Sequence, residues 1–449
     1  MNNKALTAVP QAPGALPGIG HSLRILRDPL RLLDQLTSHD GPVRLRLGPV
    51  QVILLCDPLS TREILVNDRL YDKGGPVLDA LREVLGNNLG TCPHSDHRRQ
   101  RRQVQPAFRP DRLEAYADEM GRIVHHAIAS WRPGQCVDVN AATGALSTKV
   151  LLASLFAEQP TDAQIRHIVT DFTSLTRGAI WSAVLPAWTR RLPLPAYQHS
   201  HRAKDRLRAQ IRDAVHRRRD DDTAAAIIPA LLSNRTDDPF TEEEIIDQTM
   251  GFYLAGAETV ASTVAWGLYL LTRQPSIARQ VHSEARRAFD HDVPGFEHLA
   301  ALPFTHNVIR ETLRLYPPGW MLTRLTTTDT RLDGYRIPAG TPIAYSPYLL
   351  HRRAESFTEP EKPNPERWNR SSPRSRESFI AFSAGARGCI GERFAVAEAT
   401  LTLAAITERW RLRDVSPKRV TALPSLSLRP GNFRVQLLPA DKAETDPHG

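Results

Sequence analysis

Val43-Arg44-Leu45-Arg46-Leu47 alternates apolar and charged residues with period two, Gly48-Pro49 turns the chain, and Val52 to Leu55 returns. That is the pattern of a β-hairpin with one buried face. A second β-like region runs from about Trp320 to Tyr345, with Asp333-Gly334 as its turn. Elsewhere the apolar positions mostly follow helical spacing. A Pro/Gly-punctuated opening leads to a helix expected around Leu26 to Leu36. A much longer helix starts at the capping box Thr241-Glu242-Glu243-Glu244 and reaches Arg273, before Pro275. Its length is on the order of 50 Å at about 1.5 Å per residue.

Met250 to Thr272 is nearly all apolar, so a membrane span has to be weighed. Glu258 lies near its middle, beside Thr259, Ser262 and Thr263, and a charge there costs at least about 2.5–3.5 kcal/mol on insertion. A helix apolar all round also suits the centre of a large globular protein, which is the expectation here. The run Arg217-Arg218-Arg219-Asp220-Asp221-Asp222 reads as a solvated helix end and loop. There is no internal repeat. The β pieces near each end are expected to pair, which gives one domain over 21–440. A Pro-rich segment over 1–20 precedes it, and a polar tail over 441–449 follows.

Composition alters this picture little. The 449 residues are 41% hydrophobic and 24% charged, ordinary for a globular chain. The net charge of +9 suggests nucleic acid, an anionic membrane or an acidic protein partner. No nucleic-acid motif accompanies it. The four cysteines, Cys56, Cys92, Cys136 and Cys389, form no CxxC pair, which argues against zinc. Their sparseness suits a reducing cytosol. Residues 1–20 contain no apolar run of a signal peptide or anchor, so a cytoplasmic protein without a transmembrane anchor is expected.

The candidate chemistry centres on Phe382-Ser383-Ala384-Gly385-Ala386-Arg387-Gly388-Cys389-Ile390-Gly391. A helical pattern follows through Phe394, Ala397, Leu401 and Ala405. Backbone N–H groups and the dipole at a helix start favour a thiolate. Arg387 adds positive charge and suits a carboxylate. The glycines permit positive φ and close approach to a flat ligand. A lone cysteine in a turn is most often structural; the pattern FxxGxRxCxG sets this one apart.

These residues resemble the cysteine segment of the cytochrome P450 family, the haem-thiolate monooxygenases. The resemblance implies a mainly α fold with small β-sheets, a triangular helical prism holding haem between a long central helix and the Cys-containing loop. It implies that Cys389 ligates the iron of haem b, that Arg387 binds a haem propionate, and that Phe382 packs by the thiolate. Gly391 and Ala255 would approach the cofactor. Bacterial members often carry His at the position of Arg387; arginine keeps the role.

Ala255-Gly256-Ala257-Glu258-Thr259 is similar to the family's oxygen-binding signature. Thr259 would hold dioxygen or a water, and Glu258 would feed protons inward. The local alternative is a Thr259 hydroxyl bonded back to the Ala255 carbonyl. Glu311 and Arg314 share a helix face at i and i+3, and Pro365-Glu366-Arg367-Trp368 follows. The resemblance joins Glu311, Arg314 and Arg367 into a structural triad. It makes Arg324, His97 and Arg101 further propionate ligands.

Arg98 and Arg102 fall on a neighbouring face of the basic run 97–102 and are read as a docking site for an acidic ferredoxin or flavodoxin. The chain has no flavin- or nicotinamide-binding region, so electrons from NAD(P)H must arrive through such a protein and its reductase. A monomer is expected. Family position puts Val77, Leu78, Trp181, Tyr253, Ala257, Trp320, Met321, Leu322 and Leu426 around a hydrophobic substrate. The stretch from Pro13 to His21 resembles bacterial terpene-pathway oxygenases, which suggests hydroxylation of a terpenoid. A fatty acid or polyketide is the alternative substrate. A peroxide-driven peroxygenase, or a haem-based sensor without turnover, are the alternative functions.

Overall fold

β1 (Pro42–Leu47) and β2 (Val50–Leu55) form the expected antiparallel hairpin, with Gly48 at φ +59° in the turn. β2 then pairs in parallel with β8 (Pro342–Tyr345), which places Ile53 beside Ile343. β8 pairs with β5 (Leu322–Thr326), and β5 with β3 (Tyr71–Asp72), in the order β1-β2-β8-β5-β3. The two β regions therefore share one sheet. β6 (Thr330–Leu332) and β7 (Tyr335–Ile337) make a hairpin whose central residues, Asp333 and Gly334, both have positive φ, as a two-residue primed turn requires. Near the C-terminus, β12 (Arg434–Pro439) lies between β4 (Cys136–Asp138) and β9 (Trp410–Asp414), and β10 (Ala422–Pro424) pairs with β11 (Leu428–Pro430). This is a computed structural model, and it describes residues 6 and 8–440 apart from 185–193, 219–225, 234–237, 291 and 371. The expected tail over 441–449 and the stretch Arg219 to Asp222 lie outside those residues; Arg217 closes a helix that starts at Pro195.

The long helix (Glu242–Arg273) is the centre of the larger core cluster and packs against helices Val139–Phe156, Glu392–Arg409 and Pro303–Leu315. Its capping box is formed: Thr241 Oγ1 accepts from the Glu244 N–H at 3.3 Å, and Glu244 Oε2 accepts from the Thr241 N–H at 2.8 Å. It and Val139–Phe156 are long and apolar enough to cross a membrane, but each is 67% buried inside the chain over its apolar window. Each aliphatic side chain so buried contributes about 1.5–3 kcal/mol. Both are core helices.

Two expectations at the N-terminus need correction. The single helix around Leu26 to Leu36 is two short ones, Ser22–Arg27 and Pro29–Asp34. Pro29 cannot continue the first ladder, and Asp28 caps the second through the Arg31 N–H at 3.2 Å. The Pro-rich opening is not a separate segment: Leu6, Val9 and Ala12 are buried with the β1–β2 hairpin. Arg44 donates its N–H to the Pro10 carbonyl at 2.7 Å and accepts one from Ala12 at 3.0 Å.

The core also holds an acid. Glu398, on the helix Glu392–Arg409, is buried with an orphaned Oε1 and has Ser147 as its side-chain hydrogen-bond neighbour. Burial pushes its carboxyl from the ordinary 4.5 up to about 8. Between these values the folded chain keeps a proton that the unfolded chain has lost. Stability therefore falls as pH rises through that window, by about 1.4 kcal/mol per pH unit, and levels off above it. Glu398→Gln is expected to remove this slope and to raise the thermal midpoint at pH 8 but not near pH 4.5. Parallel midpoint curves for the two proteins would contradict it.

Candidate active site

The cysteine loop is held by its own backbone. The Cys389 N–H donates to the Phe382 carbonyl at 2.9 Å, and Gly388 donates to Gly385 at 3.0 Å. Gly385 has φ +69°, and a Cβ there would meet the Leu65 carbonyl at 2.4 Å, so this position admits only glycine. Gly388 and Gly391 have ordinary negative φ; the second left-handed residue is Ser383 at +61°. Gly391 caps the helix Glu392–Arg409, and the Phe108 ring that lies 3.9 Å from its Cβ direction also meets Phe252 of the long helix, at 5.6 Å between centroids.

Cys389 is open to a water-sized probe yet lies deep in the molecule. Its thiol does not behave as the helix-start argument predicts. Desolvation raises its pKa and outweighs the lowering by the Gly391 N–H, Arg101 and Lys73. A metal cation bound at this sulfur would favour its anionic form.

Around this sulfur the fold gathers basic groups from four segments. His97 and Arg101 come from the basic helix His94–Val104, Arg324 from β5, Arg387 from the cysteine loop, and Lys73 from the chain just after β3. Burial, followed by the charges of Arg387, Lys73 and Arg101, pushes His97 down to about 4, so it is neutral. Arg101 Nη1 donates to the Gly388 carbonyl at 2.6 Å. Arg387 departs from expectation. Its Nε donates to Asp68 at 3.1 Å, Nη2 to Asp72 at 2.8 Å and Nη1 to the Cys92 carbonyl at 2.9 Å. Burial alone would raise the Asp68 carboxyl, but His94 and Arg387 together hold it below its usual range.

Among the described residues of this cluster, three cations have no carboxylate partner: Arg101, Arg324 and Lys73. Arg324 is 4% exposed, its Nε has no partner, and its Nη1 reaches only the Thr323 carbonyl at 3.4 Å. Lys73 Nζ donates to the Gly90 carbonyl at 2.7 Å; burial first, then Arg324 and Arg387, lowers it to about 7. An orphaned buried guanidinium beside a desolvated ammonium is a fitted receptor for carboxylates. These groups, with an open cysteine sulfur, fit haem and its propionates. Sequence reasoning missed Lys73, whose signal is a lone lysine before Gly74-Gly75.

On the long helix, Ala255 is exposed among half-buried and buried neighbours, as approach of a flat ligand needs. Thr259 takes the local alternative: Oγ1 donates to the Ala255 carbonyl at 2.6 Å. Its proton is thereby committed, and the hydroxyl presents lone pairs as an acceptor. Glu258 sits about 100° round the helix from Thr259, and its Oε1 accepts from Ser427 Oγ at 2.5 Å.

The expected pocket wall is mixed. Tyr253 and Ala257 are core residues instead, because they share the helix face opposite Ala255; Tyr253 stacks on Phe172 with centroids 4.1 Å apart. Val77, Trp181 and Leu322 are exposed, while Leu78, Met321 and Leu426 are half-buried. Trp320 is buried and donates Nε1–H to the Ser425 carbonyl at 2.8 Å.

Behind the cysteine loop, Glu311 and Arg314 are fully buried and paired at 2.8 Å, and Arg367 Nε joins Glu311 at 3.1 Å. Asn364 N–H and Trp368 Nε1–H also donate to Glu311, at 2.9 and 3.1 Å. Phe382 is linked to this lock through His351. The His351 Nδ1 meets the Arg314 carbonyl at 3.2 Å, and Nε2 accepts from the Ile380 N–H, two residues before Phe382, at 3.0 Å. These bonds assign the proton to Nδ1, and burial keeps the ring neutral by pushing it down to about 3.

At the edge of the site, Arg98, Arg102 and Arg109 line a surface depression of about 650 Å³, with Asp68, His94, His97, Arg101 and Ala386 of the cysteine loop also in its wall.

The cytochrome P450 family model matches residues 10–437. The chain is similar to pentalenene oxygenase of Streptomyces avermitilis, 36% identical with 93% of each chain covered. It is similar to cyclooctatin synthase of Streptomyces melanosporofaciens, at 37% with 94% of each covered. A third relative, cyclooctat-9-en-7-ol 5-monooxygenase of the same organism, is 38% identical over 90% of this chain and 89% of that one. With a family match over nearly the whole chain and a thiol, acid–alcohol pair and buried cations arranged to fit haem, this protein belongs to the cytochrome P450 family, the haem-thiolate monooxygenases.

Proposed function

We propose that the protein hydroxylates a terpenoid in the cytosol, with electrons from NAD(P)H delivered by a ferredoxin or flavodoxin and its reductase. The observation that carries the substrate class is the near full-length similarity to a pentalenene oxygenase, since pentalenene is a polycyclic terpene hydrocarbon. The apolar character of Leu78, Trp320, Met321 and Leu426 suits such a ligand, held by shape. Cys389 would hold the iron through Sγ. Arg324 and Lys73 would take the propionates, with His97, Arg101 and Arg387 around them. Bound haem supplies dioxygen activation at its iron. The residues of this chain then divide the remaining work. Thr259 Oγ1 accepts a hydrogen bond from a water or hydroxyl in the site, and Glu258 moves a proton inward. The lock of Glu311, Arg314 and Arg367 keeps the cysteine loop in register.

The test is mass spectrometry of products from terpene, fatty-acid and polyketide panels, using the holoprotein with ferredoxin, reductase and NADPH. An oxygenated terpene is the expected product. Products from the other panels alone would overturn the substrate class, and turnover with hydrogen peroxide alone would overturn the electron route.

The depression beside Ala386 suits an acidic redox protein, because its rim is basic and it adjoins the loop that carries Cys389. Replacing Arg98 and Arg102 with glutamate is expected to slow reduction by an acidic ferredoxin roughly tenfold or more at low salt. The difference should close near 1 M salt, where the Debye length is about 3 Å. Stopped-flow reduction rates that match wild type at low salt would refute docking there.

A further inference from the structure

Glu258, Ser262 and Trp266 recur every four residues and so form one stripe on the long helix. All three meet the strand-to-strand connection between β10 and β11. Ser427 Oγ donates to Glu258 Oε1 at 2.5 Å. Ser262 Oγ and Trp266 Nε1 both donate to the Leu428 carbonyl, at 2.5 and 2.9 Å. The connection is fixed from its other side as well. Leu428 N–H donates to the Pro318 carbonyl at 3.1 Å, and Ser425 Oγ donates to the Ser427 carbonyl at 2.8 Å.

Ser427 is 3% exposed, and its single O–H is committed to the carboxylate. A hydroxyl–carboxylate bond of this length belongs to the strong, charge-assisted class. Two lone pairs on Ser427 Oγ remain to accept. Ser425, two residues away, is exposed to solvent. Glu258 is therefore held by a buried hydroxyl at a fixed place, about 100° round the helix from Thr259 and two residues along the chain from an exposed serine.

We propose that Ser427 is a positioning residue for Glu258 and the last hydroxyl in its proton supply. The Ser427 O–H proton passes to Glu258 Oε1 as Ser427 Oγ takes a proton from a hydronium ion entering at Ser425, which leaves as neutral water. No other bond changes and no electrons move. The proton that Glu258 carries inward is replaced by this route. The inference rests on the monooxygenase reading of this site and deepens it.

The experiment compares wild type, Ser427→Ala, Ser427→Cys and Ser427→Thr as holoproteins with ferredoxin, reductase and NADPH. The substrate is the terpene that wild type oxidises in the product panel. In Ser427→Ala, product formed per NADPH is expected to fall roughly tenfold, the scale of one hydrogen bond to a charged group. The solvent deuterium isotope effect on product formation should rise, and KM should stay unchanged. Ser427→Thr keeps the hydroxyl and should restore both readouts. Ser427→Cys keeps the volume with a weak donor and should resemble alanine, which keeps the idea testable if the alanine variant folds poorly. Unchanged coupling and isotope effect in the alanine and cysteine variants would overturn the proposal. So would a loss of thermal midpoint and KM with coupling intact, which marks a structural role alone. Absence of wild-type product would instead overturn the monooxygenase reading on which the proposal rests.

Discussion

Cys389→Ala is expected to abolish product formation and to remove the thiolate-type Soret band of the reduced carbon monoxide adduct. The reason lies in the balance at the sulfur. Burial raises the Cys389 thiol more than its neighbouring N–H and cations lower it. A metal at this sulfur favours the anion, and alanine offers the metal no ligand. The loop itself should survive, because its bonds are main-chain: Cys389 N–H to Phe382, Gly388 N–H to Gly385, and the Arg101 guanidinium to the Gly388 carbonyl. The variant should therefore keep its circular dichroism spectrum and a thermal midpoint near that of wild-type apoprotein. Haem retained by Arg324 and Lys73 alone would show a different carbon monoxide band. Persistence of the wild-type band in a protein lacking Cys389 would remove the sulfur from its assigned place.

The elements that were legible in the sequence are those whose signal is local. The β1–β2 hairpin, the Asp333-Gly334 turn and the capping box at Thr241 each rest on residues within a few positions of one another. The cysteine loop is read the same way, since Gly385, Arg387 and Cys389 are fixed by spacing alone. What was not legible depends on contacts across the chain. Asp68 and Asp72 meet Arg387 across more than three hundred residues, and no pattern near any of them announces it. Lys73 went unread because only the fold sets it beside Arg324.

Helix phase explains the pocket errors. Tyr253 and Ala257 stand two residues either side of Ala255, which turns them about 200° away from it. They pack in the core while Ala255 is exposed. The same geometry turns Glu258 from Thr259 toward Ser427. The Pro-rich opening misled for a different reason. Its apolar residues follow no helical or strand period, so Leu6, Val9 and Ala12 gave no sign that they complete the core beneath the hairpin.

Glu311→Gln is expected to cost about 3–5 kcal/mol of folding stability, which puts most of the variant out of the holoprotein fraction. At an exposed site an acid and a base at i and i+3 contribute at most about 1 kcal/mol, and Asp329→Asn, which breaks the exposed pair with Arg336, should leave the denaturation midpoint nearly unchanged. At Glu311 both partners are fully buried. The carboxylate accepts from Arg314 Nε and Nη2, Arg367 Nε, the Asn364 N–H and the Trp368 Nε1–H. Every one of these is a donor. A glutamine has one amide oxygen for them and turns an NH2 group toward the rest, so two guanidinium charges lose their counter-charge around a fully buried position. The loss should appear in denaturant titration and in haem recovered per protein. It should not appear in the chemistry of the remaining holoprotein, because Glu311 reaches the cysteine loop through intermediaries, by Arg314, His351 and Ile380 and by Trp368 and Phe379. The surviving fraction should keep the thiolate-type carbon monoxide band and wild-type turnover per haem. A variant of wild-type stability with a lost band would move Glu311 from the scaffold into the active site.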